Sequence, residues 1–127
     1  MILKAYRDAR FHYMNAREFA AFKADNKYLV GVTAGGREWL LQEGLTLKAI
    51  EALLPDMVRL NRGVLVKRAL LTEIIRVRVG SNIAITVVTT VGNYTLARRN
   101  CVKTIVEIIE HNLRRKKARI YPLESPE

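Results

Sequence analysis

The chain has 127 residues, half of them apolar, and 22 Lys plus Arg against 12 Asp plus Glu give it a net charge of +10. That length suits one domain with its own core, and every apolar run falls well short of the roughly 20 residues that cross a bilayer as a helix. The excess charge points to a polyanion, because each neutralised phosphate releases condensed counterions; anionic lipid attracts the same charges, and charge alone does not choose between them.

Met1 to Ala9 mixes Lys4, Arg7 and Asp8 with single apolar residues. It lacks the apolar centre and cleavage site of a signal peptide, so these nine residues read as a lead-in and the chain as cytoplasmic. From Phe11 to Gln42, four apolar runs (Phe11–Met14, Phe19–Ala24, Tyr28–Thr33 and Glu38–Gln42) are separated by Asn15-Ala16, Asp25-Asn26 and Gly35-Gly36. Turn-forming pairs between short apolar runs predict three or four strands. Tyr28, Val30 and Val32 alternate with Leu29, Gly31 and Thr33, the period of a strand with two distinct faces. Gly35-Gly36 suits a hairpin turn that needs positive φ.

Thr46 then offers an N-cap hydroxyl, and Leu47, Ile50, Leu53 and Leu54 are spaced for a short helix that Pro55 stops. Val58–Val66 reads as one extended basic segment. Ile74–Val79 and Ile83–Val91, rich in β-branched residues, read as further strands, with turns at Gly80-Ser81-Asn82 and Gly92-Asn93. Beyond Arg98, a stripe of Val102, Ile105, Val106, Ile109 and Leu113 predicts a closing helix that docks through one face. It ends in Arg114-Arg115-Lys116-Lys117, charges that suit a helix C-terminus. Residues 10–118 form the expected domain and 119–127 a tail without periodicity.

Cys101 is the sole cysteine, which leaves no internal disulfide and no cysteine-based metal cage. His12 and His111 have no partner at metal spacing, and Trp39 and Tyr94 fit a core. The sequence shows no helix-turn-helix pair, zinc finger, RNA-recognition strand with paired aromatics, phosphate-binding glycine loop or nucleophile elbow. No catalysis, cofactor, metal or small-molecule substrate is expected. The basic segments Arg59–Arg62 and Arg98-Arg99-Asn100 remain. An ordinary solvated strand face accounts for the first; the second sets cations at a helix N-terminus, against its macrodipole, a conflict a phosphate would remove.

Four segments resemble the LytTR family. Phe19 to Tyr28 resembles its opening strand pair, and Thr46-Leu47-Lys48-Ala49-Ile50-Glu51-Ala52-Leu53-Leu54 is similar to its T-L-x-x-L-E-x-x-L helix. Val58-Arg59-Leu60-Asn61-Arg62-Gly63-Val64-Leu65-Val66-Lys67 resembles its F-x-R-I-H-R-S-x-L-V-N signature, and Leu96-Ala97-Arg98-Arg99-Asn100-Cys101 its V-S-R-R motif. The matches span about Arg10 to Leu113. Asn61, Gly63 and Lys67 stand where the family commonly has His, Ser and Asn, and Ala97 where it has Ser, so a different sequence preference is expected.

The resemblance implies a mainly β fold with short helices, an elongated stack of small antiparallel sheets closed by a C-terminal helix. It also implies three loops that enter successive major grooves of double-stranded DNA. Carried over residue by residue, the first contact loop falls on Asp25, Asn26 and Lys27. The second falls on Asn61 and Arg62, with Lys67 and Arg68 beyond, and the third on Arg98, Arg99 and Asn100. Arginine can fork onto guanine O6 and N7, asparagine can pair with adenine, and lysine neutralises phosphate. The family usually carries a receiver domain or membrane helices, for which this chain has no room. The expectation is therefore a free-standing transcription regulator in a bacterial or phage-infected cell, engaging direct repeats as a pair of protomers. The rival readings are a protein-interaction module that binds another LytTR-type regulator, and an RNA-binding domain that uses the basic surface by shape.

Overall fold

The computed structural model describes residues 1–97 and 102–120, the last four as helix backbone. Leu3 and Ala5, both fully buried, alternate with Ile2, Lys4 and Tyr6 in strand β1 (Ile2–Arg7). It pairs antiparallel with β2 (Arg10–Asn15) through a two-residue turn in which Asp8 and Ala9 both have positive φ, 53° and 61°. The fold thus begins inside the segment read as a lead-in. Lys4 and Arg7 interrupt its apolar pattern, and its turn contains neither glycine nor asparagine, so the usual hairpin signal is missing.

Asn15 caps a 3-10 turn at Ala16–Glu18. Its side chain accepts from the Arg17 amide at 3.0 Å, and its own amide donates to Glu18 Oε2 at 2.7 Å, a reciprocal capping box. Strands β3 (Phe19–Asp25), β4 (Tyr28–Thr33) and β5 (Glu38–Leu41) follow. Asn26, at φ 54°, turns β3 into β4, and Gly36, at φ 84°, lies between β4 and β5. Helix α1 (Leu47–Leu53) starts where the Thr46 hydroxyl accepts from the Ala49 amide at 3.1 Å. It buries Leu47 and Ile50, with Leu54 just past its end; Leu53 stays exposed.

The segment read as one extended run is a hairpin. β6 (Met57–Asn61) and β7 (Val64–Lys67) turn at Arg62-Gly63, and a second 3-10 turn, Arg68–Leu70, leads into β8 (Leu71–Val79). β9 (Asn82–Thr89) and β10 (Gly92–Thr95) complete the strands. Their turn sits at Thr90-Val91, ahead of the expected Gly92-Asn93. Thr89 supplies the local bonds: its hydroxyl donates to the Gly92 carbonyl at 2.7 Å and accepts from the Val91 amide at 3.1 Å. Helix α2 runs from Val102 to Ile120.

The strands form two antiparallel sheets, one of seven in the order β2-β1-β5-β4-β3-β7-β6 and one of three in the order β10-β9-β8. Alternation along each strand gives the larger sheet two apolar faces. Phe19, Phe22, Leu29, Leu41 and Leu65 pack with Leu47, Ile50 and Leu54 of the α1 segment. On the other face, Ala21, Val32, Val64 and Val66 meet Leu71 and Val87 of the smaller sheet and Ile105 and Ile109 of α2. The seven-stranded sheet is therefore the middle layer. Asn112 of α2 pins the helix to the start of β8, its Nδ2 donating to the carbonyls of Arg68 and Leu71, each at 2.9 Å. The expected stripe on α2 buries Ile105 and Ile109 but leaves Leu113 exposed. Trp39 packs at the margin of the first core, with its indole N–H unbonded among the described residues. Tyr94 packs at the margin of the second, and burial pushes its phenol above the usual range while Lys23 opposes this.

Candidate nucleic-acid interface

β3 and β7 are neighbours in the middle layer, with Lys23 opposite Val64. Their pairing brings the Asn26-Lys27 turn beside the Arg62-Gly63 turn, and the Ala24 amide donates to the Gly63 carbonyl at 2.8 Å. The β3–β4 turn, the start of α1 and the β6–β7 hairpin enclose a shallow hollow of about 300 Å³, whose lining includes Asn26, Lys27, Lys48, Arg59 and Arg62. Two segments about 35 residues apart, both singled out in the sequence, thus contribute to one surface.

The cations around this hollow differ in what holds them. Arg59 is tied down: its NH1 meets Glu51 Oε1 at 3.0 Å, its Nε donates to the Asn61 carbonyl at 3.3 Å and its NH2 to the Arg62 carbonyl at 2.8 Å. It acts as a strut beneath the turn. The guanidinium of Arg62 is exposed and makes no hydrogen bond or ion pair among the described residues, and the same holds for the side chains of Asn26, Lys27 and Lys48. Asp25, also exposed, stands beside Asn26 and places one carboxylate at the margin of the cluster.

Asn61 is spent on structure. Its Oδ1 accepts from the Gly63 amide at 2.8 Å, fixing the turn, and its Nδ2 donates to the Thr95 carbonyl at 2.7 Å, joining the hairpin to β10. Asn61→Ala is expected to cost about 1 kcal/mol of stability, the worth of a typical hydrogen-bond loss with a half-buried amide left unpaired. Chemical denaturation would register it, and a change below about 0.3 kcal/mol would show that the turn holds itself.

Lys67 and Arg68 are not brought to this surface. They lie at the other end of β7, with Lys67 opposite Met57, about 10 Å of strand from Val64. Lys67 Nζ donates to the Arg17 carbonyl at 2.7 Å, and the Arg68 carbonyl is held by Asn112. Arg98, Arg99 and Asn100 lie outside the described residues, as does Cys101. Ala97, just before them, donates its amide to the Leu60 carbonyl at 3.0 Å.

Two cations that line the hollow lie outside the contact loops expected from the sequence, Lys48 and Arg59. Lys48 sits in the first turn of α1, where a cation opposes the helix dipole, the same conflict that marks Arg98 and Arg99 in the sequence. Arg59 reads in the sequence as a solvated strand residue within the second LytTR-like segment; its bonds to Glu51 and the turn carbonyls come from tertiary packing. Among the described residues, no group of three or more His, Cys, Asp or Glu could hold a metal ion, and no helix is long and apolar enough to cross a membrane.

The fold is shared with a solved structure described as the LytTr DNA-binding domain of a methyl-accepting/DNA response regulator from Bacillus cereus. The match covers 88% of this chain and 95% of that one, with a TM-score of 0.58 and 11% sequence identity. No family model and no curated protein matches the sequence.

Proposed function

We propose that this chain is a sequence-specific double-stranded DNA-binding regulator of transcription. The observation that carries the reading is the convergence of the Asn26-Lys27 and Arg62-Gly63 turns on one hollow, ringed by Lys27, Lys48 and Arg62, whose side chains have no partner among the described residues. The shared fold with a domain described as DNA-binding points the same way, as does the net charge of +10. In this reading Arg62 and Asn26 reach base edges, while Lys27 and Lys48 take phosphates that set the register. Arg98, Arg99 and Asn100 supply the third contact. Asn61 positions its turn, and Lys67 and Arg68 read no base. The chain acts in the cytoplasm of its host, two copies side by side on direct repeats.

Selection of bound sequences from a random duplex pool, followed by competition at matched salt, tests this. The selected duplex is expected to displace a labelled copy of itself at least ~10³-fold better than random duplex does, the lower end of the usual specificity ratio. Structured RNA is expected to compete no better than random duplex. A pool that yields no enriched sequence, or RNA that competes as well as the selected duplex, overturns the reading.

A further inference from the structure

β8 and β9 pair along their whole length, from Leu71 opposite Thr89 to Val79 opposite Asn82, but β10 pairs only with Thr86–Thr89 of β9. Leu96 extends that cover by one bond, its amide donating to the Ile85 carbonyl at 2.8 Å. The pairs Val77–Ala84, Arg78–Ile83 and Val79–Asn82 run on as a two-stranded ribbon that turns at Gly80-Ser81, with Gly80 at φ 62°. Val79 and Ile83 near its tip are each 61% exposed. Arg76 and Arg78, two residues apart and so on one face, are exposed and make no hydrogen bond or ion pair among the described residues.

An isolated two-stranded ribbon is marginal in water, and its bare edges and exposed apolar tip are features that folds normally cover or blunt. The charge pattern indicates what covers this one. Between Glu73 and Glu107 the sequence has no Asp or Glu, while Arg76, Arg78, Arg98, Arg99 and Lys103 all fall there. A protein surface usually intersperses the two signs; a stretch this long with cations alone fits a polyanion. The major groove, about 12 Å wide, admits a two-stranded β-ribbon. We infer that the β8–β9 ribbon is a second duplex-binding arm, separate from the hollow at Arg62, in which Arg76 and Arg78 neutralise backbone phosphates and the Val79–Ile83 tip lies against the groove wall. The arm rests on the duplex-DNA reading above and adds to it an element outside the three contact loops.

The test is fluorescence anisotropy of the full chain on its selected duplex, with salt raised from ~50 to ~200 mM, a range over which phosphate contacts dominate the change in affinity. Removing two phosphate contacts with Arg76→Ala/Arg78→Ala is expected to lessen the slope of log K against log salt by about 1.8, at about 0.9 per contact. Arg76→Lys/Arg78→Lys keeps the charges and is expected to keep the slope. Arg10→Ala/Arg37→Ala removes the same charge from exposed positions in β2 and just before β5, outside the ribbon and the hollow, and is expected to leave the slope unchanged. Unaltered slope in the Arg76/Arg78 alanine variant, with wild-type binding intact, overturns the arm alone. An equal fall in the Arg10/Arg37 control also overturns it, because net charge would then be the cause. Failure of the wild-type chain to bind any duplex overturns both the arm and the functional reading.

Discussion

Arg62→Ala is expected to weaken binding to the selected duplex by roughly 1–3 kcal/mol, about 5- to 150-fold, the worth of one bidentate arginine–guanine contact. Random duplex is expected to lose far less, because there Arg62 contributes only one charge among many. The structure makes this a clean substitution. The Arg62 guanidinium is exposed and bonds to nothing described, while its backbone is held by Arg59 NH2 on the Arg62 carbonyl and by the Asn61 bond to Gly63. The turn should therefore survive truncation of the side chain. Arg62→Lys separates charge from fork geometry: lysine keeps the charge but cannot bridge guanine O6 and N7, so random-duplex binding should return while the specific advantage stays lost. Gel shifts on the two duplexes read both quantities. Equal losses on both would show that Arg62 contacts phosphate only and would remove its role as a base reader.

The surface around Arg62 depends on a strand pairing that no local pattern in the sequence contained. Asn26 and Arg62 were each visible as polar residues at a turn or strand, but their meeting is set by β3 pairing with β7, with Lys23 opposite Val64. Elements with a strong periodic signature were legible: the alternation of β4, the Thr46 cap and Pro55 stop around α1, and Ile105 and Ile109 on α2. β1 was not, because its inward residues are Leu3 and Ala5, a weak apolar pair flanked by Lys4 and Arg7, and its turn uses Asp8 and Ala9 in a conformation costly for side chains. The β6–β7 turn was concealed because Val58–Val66 is otherwise apolar and basic, and only Asn61 and Gly63 marked it. The LytTR resemblance places Lys67 and Arg68 beyond Arg62 in the second contact motif, and the hairpin carries them to its other end. Arg59 shows the limit most plainly, since Glu51 and the carbonyls of Asn61 and Arg62 give it a strut's role that eight residues of sequence separation from Glu51 could not suggest.

The same middle layer sets the second large expectation. Gly31→Ala should destabilise the fold by about 3 kcal/mol, at the upper end of the usual range for overpacking a core. Gly31 lies in β4 opposite Phe22, and a Cβ built there would come within 2.6 Å of both Cδ1 and Cε1 of Phe19. These are ring atoms of a fully buried residue whose centroid lies 5.4 Å from that of Phe22, so the ring has little room to swing away. The glycine serves close approach of an aromatic face to the sheet; its φ is ordinary. The pair should be strongly coupled. Phe19→Leu, mild by itself, is expected to recover at least ~1 kcal/mol in the Gly31→Ala background, within the usual coupling of residues in contact. A urea midpoint that falls at constant m reports the stability change without a change in the extent of unfolding. Duplex affinity corrected for the folded fraction should stay near wild type, because neither side chain reaches the hollow. If Gly31→Ala stays within about 0.5 kcal/mol of wild type, an ordinary surface-like change, the Phe19 ring has room to move and the close approach does not require glycine at this position.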